Sequence, residues 1–261
     1  MPTDLDLLVL GPVAAHRNGV PIHLGGAGEH LLLAALIVSI GHVVSDDVLA
    51  DVLWGDQPPP SAHNTLQSTV SRLRTHLETE IERVDDGYLL SVPTACVDAV
   101  RFERAIRSAE EADGSWGQVW DLTRTALSLW RGTPYGAFGD RNPFTLERIR
   151  LDELRILANE ILLTAEIELG RHALAACSLE ALVLEYPYRE RMWHLLVAAL
   201  ARAGRRIEAV RACDRLDDIL ATVGLGASPA TKDLRLRVLA DDPDVPTPPL
   251  RGVATAQPLP R

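Results

Sequence analysis

The sequence lacks the features of several protein classes. No apolar run approaches the roughly 18 residues needed to cross a bilayer, and the longest, residues 31–40, predicts a buried helix. Residues 1–4 carry no basic segment, which argues against a signal peptide. Three widely spaced cysteines, Cys96, Cys177 and Cys213, indicate single thiols in a reducing compartment rather than a disulfide framework. We therefore expect a cytoplasmic protein with no membrane partner.

Motifs of catalytic sites are also missing. Gly25, Gly26 and Gly28 precede a helical segment, but no Lys-Ser/Thr follows as in a Walker loop, so a tight turn is the better interpretation. The eight histidines are scattered without metal-ligand spacing. Neighbouring aspartates lie at predicted turns and helix ends rather than in a buried acid–base pair. We therefore predict that the protein is not an enzyme and has no cofactor or metal site.

Basic side chains are scarce in the N-terminal part. The net charge of the chain is −10, and residues 1–100 carry thirteen acidic side chains. Only four basic side chains accompany them, at Arg17, Arg72, Arg74 and Arg83. Because DNA affinity comes largely from neutralised phosphates, this distribution opposes DNA binding by that part. An acidic surface also has an ordinary explanation, since acidic proteins are common and soluble.

The N-terminal part combines β and helical patterns. Residues 5–10 predict a strand, Asn18-Gly19 a tight turn, and residues 20–24 a partner strand whose Pro21 indicates a sheet edge. Helices are predicted over residues 28–40 and from the N-cap Ser45 to Trp54. The second helix is expected to bury four residues, Val48, Leu49, Val52 and Leu53.

A third helix and a hairpin complete this pattern. The helix is predicted from the N-cap Ser61 to about residue 79, with Leu66, Val70, Leu73 and Leu77 on its buried face. Strands 81–84 and 88–92 flank Asp85-Asp86-Gly87, a turn whose glycine is expected at positive φ. Three helices followed by a hairpin predict a winged helix-turn-helix domain over residues 1–95.

Residues 96–241 are helical and contain a repeat of 34 residues. Pairs of similar residues recur at this spacing, among them Ala165 with Ala199, Gly170 with Gly204 and Ala175 with Ala209. This is the period of tetratricopeptide (TPR) helix pairs, so we predict an all-α TPR-like domain and a mainly α protein. Four tryptophans within the helical patterns are predicted to be core: Trp116, Trp120, Trp130 and Trp193.

Two further segments of the second part carry interpretations of their own. A run of arginines predicts either a solvated face or a docking face for an acidic partner: Arg202, Arg205, Arg206, Arg211 and Arg215. Residues 242–261 are rich in proline and predict a solvated tail or linker.

Several segments match one known family in order and spacing. In the first part they are Leu8-Val-Leu-Gly-Pro-Val, Leu24-Gly-Gly, Leu53-Trp-Gly, Ser61-Ala-His-Asn-Thr-Leu-Gln, Val70-Ser-Arg-Leu-Arg and Gly87-Tyr. In the second they are Ala126-Leu-Ser-Leu-Trp-Arg-Gly, Gly170-Arg-His, Leu182-Val, Tyr186-Pro, Arg189-Glu-Arg-Met-Trp and Gly204-Arg. Residues 5–240 thereby resemble the Streptomyces antibiotic regulatory protein family. The resemblance implies an OmpR/PhoB-type DNA-binding domain fused to a TPR-like bacterial transcriptional activation domain. Proteins of this kind bind direct repeats near promoters and recruit RNA polymerase.

The resemblance makes the third helix the candidate recognition helix. In this fold its exposed side chains meet base edges in the major groove, while the wing contacts the minor groove or backbone. The candidate DNA-binding residues are His63, Asn64, Gln67, Ser68, Ser71, Arg72, Arg74, Thr75, Gly87 and Tyr88. Alternatively, the polar residues are simply solvated, and Arg72 and Arg74 pair with Glu78.

The sequence departs from the family where relatives carry basic residues. It has Ala27-Gly-Glu-His before the first helix, His63 at the start of the third, and Leu89 after the wing tyrosine. Weak DNA binding that needs a dimer or a partner is therefore one hypothesis. The alternative function is a protein–protein adaptor with a degenerate winged helix. The expected partners are promoter DNA, RNA polymerase or another protein at the helical domain, and a second copy of the chain.

Overall fold

The computed structural model describes residues 5–78, 81–112, 115–242 and 245–249. Contacts divide the chain into two units. The first comprises the described residues up to Ala105 together with Thr125–Arg155, and the second comprises Ile106–Arg124 together with the described residues from Ile156 onward. Among the described residues, no helix combines the length and apolarity that a membrane span requires.

The first unit begins with a three-stranded antiparallel sheet. Strands β1 (Leu5–Leu8), β2 (Ala14–Arg17) and β3 (Val20–Pro21) follow one another in space as in sequence. The predicted pairing of the first strand with residues 20–24 is wrong, because β2 lies between them and pairs with both. The Asn18-Gly19 turn joins β2 to β3 with positive φ at both residues, as a tight hairpin requires. Pro21 lies in the edge strand, as expected.

Three helices form the helix-turn-helix, and their caps agree only partly with the sequence. They are α1 (Ala27–Val38), α2 (Asp46–Trp54) and α3 (Ala62–Leu77). The hydroxyl of Ser45 accepts from the amide of Val48 at 3.3 Å, which confirms the N-cap of α2. The side chain of Val48 is exposed, so its predicted burial is wrong. Ser61 precedes α3 but caps no amide with its side chain, so this predicted cap is also wrong.

A second small sheet carries the hairpin. Strands β4 (Val44–Ser45), β5 (Ile81–Val84) and β6 (Gly87–Leu90) are ordered β4-β6-β5. The expected positive φ at Gly87 is wrong; Asp85 has it instead, at 48°. Gly87 is required for space, because a Cβ there would lie 2.4 Å from the carbonyl oxygen of Val44. Its lack of a side chain therefore allows β4 and β6 to pair.

Three helices beyond the hairpin contribute residues to both units. Helices α4 (Asp98–Glu111), α5 (Trp116–Leu127) and α6 (Phe144–Glu168) follow it in sequence. The carboxylate of Asp98 is buried and accepts from the amides of Val9 and Leu10 at 2.8 and 3.1 Å. Burial raises the pKa of Asp98, against the opposing effect of these hydrogen bonds. The predicted boundary between the winged-helix and TPR-like domains, at residues 95/96, stays a prediction. The two units are defined by contacts and do not divide the chain at a single position.

The second unit confirms the TPR-like repeat. Its remaining helices are α7 (His172–Glu185), α8 (Glu190–Arg202), α9 (Arg206–Thr222) and α10 (Pro229–Leu239). Gly170 and Gly204 end α6 and α8 with φ of 79° and 74°. The next amide donates in each case to a carbonyl five residues back, Arg171 to Glu166 and Arg205 to Leu200, both at 2.9 Å. The same turn is thus built twice, one repeat apart.

The tryptophans and the arginine run have distinct environments in the helical part. Trp193 is fully buried, whereas Trp116, Trp120 and Trp130 are only partly buried, so the predicted core role holds fully for Trp193 alone. Four arginines of the run pair with acidic side chains, Arg202 with Glu168, Arg205 with Glu208, Arg206 with Asp241, and Arg215 with Glu180. The pairs of Arg205, Arg206 and Arg215, whose side chains are exposed, favour the solvated-face interpretation, whereas Arg202 is largely buried and donates to the carbonyl of Val245.

The proline-rich segment differs from its prediction where it is described. Val245 is 0% exposed and belongs to the core of the second unit. The expectation of a solvated tail is therefore wrong for this residue, since burial of its side chain outweighs the polar composition around it. Residues 243–244 and 250–261 of the predicted tail, and the predicted helix end at residue 79, lie outside the described residues.

Candidate nucleic-acid interface

Helix α3 has one buried and one exposed face, as the sequence predicts. Its apolar residues Leu66, Val70, Leu73 and Leu77 are all buried. The opposite face exposes seven of the predicted site residues: His63, Asn64, Gln67, Ser68, Ser71, Arg72 and Thr75. Because helical side chains three and four residues apart lie on one face, these groups form one polar surface, which we call the α3 face.

Short contacts organise the α3 face. The amide nitrogen of Gln67 donates to Nε2 of His63 at 2.9 Å. The hydroxyl of Ser68 donates to the carbonyl of Asn64 at 2.8 Å, and that of Thr75 to the carbonyl of Ser71 at 3.0 Å. Since each hydroxyl hydrogen is used within the helix, the hydroxyl oxygens present acceptor lone pairs to solvent. The α3 face thus offers both donors and acceptors.

Arg72 lies at the margin of the α3 face beside a buried acid. Its Nε lies 3.1 Å from Glu29 of α1, and the side chain of Arg72 is 59% exposed while that of Glu29 is 4% exposed. Glu29 also accepts from the amide of Gly25 at 3.1 Å and from Nδ1 of His76 at 2.8 Å. Burial raises the pKa of Glu29, but these hydrogen bonds and the charge of Arg72 outweigh it and lower the pKa.

Sequence reasoning missed the structural role of Glu29. It lies in the Ala27-Gly-Glu-His stretch where the family resemblance led us to expect basic residues. Its carboxylate is turned inward, so it connects the start of α1 to α3 rather than presenting negative charge to a ligand. The local sequence gives no signal for this, because His76 lies far along the chain and meets Glu29 only when the helices pack.

Arg74 is directed away from the α3 face. It is half-buried, and its Nε donates to the carbonyl of Ile81 at 2.6 Å. Its guanidinium lies 5.8 Å from the centre of the Tyr88 ring. The structure therefore places Arg74 between α3 and the hairpin. The alternative pairing with Glu78 is not what the structure shows, since Glu78 lies 3.7 Å from Arg17.

The hairpin presents different residues from those singled out in the sequence. Gly87 and Tyr88 are buried in β6, so they shape the hairpin from inside. Arg83 of β5 covers the ring of Tyr88 at 4.7 Å and bonds Asp46 at 2.6 Å. The hydrogen bond with Asp46 is the main cause that raises the pKa of Arg83. The exposed groups of the wing are therefore Glu82 and Arg83 of β5 and the tip Asp85-Asp86.

Among the described residues, no group of three or more His, Cys, Asp or Glu side chains is arranged to hold a metal ion.

Family models match both parts of the chain. The model of the transcriptional regulatory protein C-terminal domain matches residues 19–90, which include α3 and the hairpin. The model of the bacterial transcriptional activator domain matches residues 97–239, more than half of the chain. The chain belongs to the Streptomyces antibiotic regulatory protein family.

Over the aligned residues, individual members of the family are about one third identical to this chain. The transcriptional regulator RedD of Streptomyces coelicolor is 32% identical over 94% of this chain and 73% of its own length. The regulatory protein AfsR of the same organism is 34% identical over 90% of this chain. The chain spans about a quarter of AfsR, 24% of its length.

A solved structure of a related regulator has the same fold. Mycobacterium tuberculosis EmbR, determined in complex with a low affinity phosphopeptide, superposes with a TM-score of 0.84 at 29% sequence identity. The match covers 91% of this chain and 65% of that of EmbR. The winged helix followed by a TPR-like domain is thus the architecture of this family, as the sequence predicted.

Proposed function

We propose that this member of the family is a DNA-binding transcription regulator that inserts α3 into the major groove of promoter DNA. The observation that carries the proposal is the α3 face, where seven neighbouring polar side chains are exposed on the helix that a winged helix-turn-helix uses for recognition. Family membership supports it, since the related proteins above are named as regulators.

The side chains have different roles in this proposal. Asn64 and Gln67 carry the paired donor and acceptor groups that match the major-groove edge of adenine. Ser68 and Thr75 accept from amino groups on base edges, since their hydroxyl hydrogens are donated within the helix, and Ser71 donates to a phosphate or a base. His63 lies at the start of the helix. Arg72 contacts a phosphate, while Arg74, Gly87 and Tyr88 hold the wing in place.

The acidic composition is less of an obstacle than the sequence indicates. Glu29 is buried and Asp46 is paired with Arg83, so two of the acids near α3 are already compensated. Arg72 can exchange Glu29 for a DNA phosphate, because Glu29 retains the hydrogen bonds from Gly25 and His76. The exposed Asp85 and Asp86 still repel phosphates, and we infer that binding is modest for a single copy and strengthened by a second copy on repeated sites.

The remaining parts of the proposal concern the second unit. The TPR-like helices contact RNA polymerase or another protein, as stacked helical repeats form extended binding surfaces. The protein acts in the cytoplasm through binding rather than catalysis.

A mobility-shift titration with DNA from upstream of the gene tests the proposal. Asn64→Ala and Gln67→Ala are each expected to weaken binding by about 1–3 kcal/mol, because each removes a bidentate base contact. The matched control is Gln118→Ala, an exposed amide on α5 outside the α3 face, which should leave affinity unchanged.

Salt dependence separates DNA recognition from the adaptor alternative. If α3 engages DNA, log K should fall with log salt by roughly 0.9 per phosphate contacted. A flat salt dependence together with equal affinities of the Asn64, Gln67 and Gln118 variants would reject the proposal and favour the protein–protein adaptor.

A further inference from the structure

Residues 245–249, Val-Pro-Thr-Pro-Pro, belong to the second unit and contact α6 and α8, the first helices of its two repeats. Val245 is fully buried in the core of that unit. The hydroxyl of Thr247 donates to Glu168 near the end of α6 at 2.8 Å. Two arginines of α8 donate to carbonyl groups of the segment. We call the surface formed by Glu168, Arg191 and Arg202 the α6–α8 groove.

The α6–α8 groove binds residues 245–249 through hydrogen bonds to their main-chain carbonyl groups. Nε of Arg202 donates to the carbonyl of Val245 at 2.9 Å. Arg191 donates to the carbonyls of Pro249 and Pro248 at 2.6 and 3.4 Å. Proline has no amide hydrogen, so a proline-rich strand offers mainly carbonyl acceptors, and arginine supplies only donors. The chemistry of the groove therefore suits an extended, proline-containing peptide.

The order of these contacts fixes the direction of the segment. Arg202, at the C-terminal end of α8, meets Val245, while Arg191, near the N-terminal end, meets residues 248 and 249. The segment therefore runs antiparallel to α8. An extended proline-rich chain rises about 3.1 Å per residue, so four residues cover about 12 Å, comparable to the roughly 16 Å of helix between the two arginines.

Acidic side chains hold both arginines in place. Arg202 lies 3.1 Å from Glu168, and Arg191 lies 2.9 Å from Glu160. Both acids belong to α6, and of the two Glu168 also accepts from Thr247 of the segment. The donors are consequently oriented by the repeats themselves, and such preorganisation lowers the cost of binding a peptide.

We infer that the α6–α8 groove is a peptide-binding site for an extended segment of a partner protein, with an apolar residue followed by prolines. Residues 245–249 occupy it in cis and compete with the partner. Carbonyl recognition by arginine does not depend on which side chains the peptide carries, and the apolar pocket filled by Val245 sets its register. The inference concerns the second unit and does not depend on DNA binding by α3.

The test measures binding of a fluorescein-labelled peptide with the sequence of residues 242–251 to the full chain by anisotropy. Two variants release the cis segment: Val245→Asp, which puts a charge into the apolar pocket, and a truncation after Asp242, which removes the segment. Because a tethered segment competes at an effective concentration of about 1 mM, both variants should bind the peptide at least about tenfold more tightly than the unchanged chain.

Adding Arg202→Gln to each variant provides the matched control and should remove most of this binding. Circular dichroism verifies the helix content of every variant, and if Val245→Asp unfolds the second unit, the truncated chain alone decides. The inference is overturned if the folded tail variants bind the peptide no more tightly than the unchanged chain. It is equally overturned if Arg202→Gln leaves their affinity unchanged.

Discussion

Two arginines, one in each unit, are paired with buried glutamates, and their surroundings differ. Arg72 on α3 is 59% exposed beside Glu29, whose carboxylate has two further hydrogen-bond donors. Arg191 on α8 is 14% exposed beside Glu160, which is 7% exposed. The first arginine lies at the edge of an open polar face, whereas the second lies beneath an extended segment of the same chain.

The comparison shows how one kind of ion pair can serve either recognition or structure. A buried carboxylate that keeps other donors tolerates the departure of its arginine, because its hydrogen-bonding capacity stays partly filled. A buried pair that is shielded from water on both sides is costly to break, since the remaining charge is left uncompensated. Arg72 is therefore free to exchange partners, and Arg191 is fixed.

The largest expected effect is the loss of Arg191. Arg191→Ala should lower the free energy of unfolding by about 3 kcal/mol, because it removes the cation from a buried ion pair. Urea denaturation followed by circular dichroism measures this. Arg191→Lys keeps the charge and should cost clearly less. If Arg191→Ala and Arg72→Ala lower the free energy of unfolding equally, the Arg191–Glu160 and Arg72–Glu29 pairs do not differ in structural role.

Removing Glu29 should have the next largest effect. Glu29→Ala deprives Gly25, His76 and Arg72 of a shared acceptor, and we expect a loss of about 2 kcal/mol in the free energy of unfolding. Thermal and urea denaturation measure it. Glu78→Ala is the control, since its surface pair with Arg17 should contribute less than about 1 kcal/mol. A Glu29 variant as stable as the Glu78 variant would contradict the structural role given to this acid.

Arg72→Ala should change stability by less than about 0.5 kcal/mol, as expected of a mostly exposed side chain. Its effect should appear on DNA instead, where the slope of log K against log salt falls by about 1 because one phosphate contact is lost. Arg205→Ala, an exposed arginine of the second unit, should leave the slope unchanged. If Arg72→Ala instead lowers the free energy of unfolding and leaves the salt slope unchanged, Arg72 has only a structural role, as the partner of Glu29.

The smallest effect concerns pH. The pKa of Glu29 is lowered in the folded protein, so its charged form contributes stability that is complete above the ordinary value of 4.5 and is lost as pH falls through the folded pKa. Denaturation midpoints below pH 4.5 should thus decrease less with falling pH in Glu29→Gln than in the unchanged chain. An unaltered pH profile in this variant would show that Glu29 does not titrate differently in the folded state.

Prediction from the sequence succeeded where the signal is local or periodic. The buried face of α3 follows from the spacing of Leu66, Val70, Leu73 and Leu77, and the repeat from the spacing of Gly170 and Gly204. It failed where short strands carry little pattern, as with β2, whose Ala-Ala-His-Arg has no marked β preference. It also failed at Gly87, where a glycine required for close approach was taken for one required for its φ.

The candidate site was predicted only in part for a related reason. Helical periodicity identified which side chains of α3 are exposed, because one face had to be buried. The orientations and partners of Arg72 and Arg74, by contrast, depend on Glu29 and Ile81. These residues meet the two arginines only when α1 and the hairpin pack against α3.

The sequence by itself determined the helix-turn-helix, the repeat and the polar side of α3, since hydrophobic period and glycine placement act over a few neighbouring residues. Tertiary structure alone decided which charges are buried, which arginines are exposed enough to exchange partners, and that the side chain of Val245 lies in the core of the second unit. Those outcomes depend on contacts between residues distant in the chain, whose desolvation and hydrogen bonding no local pattern records.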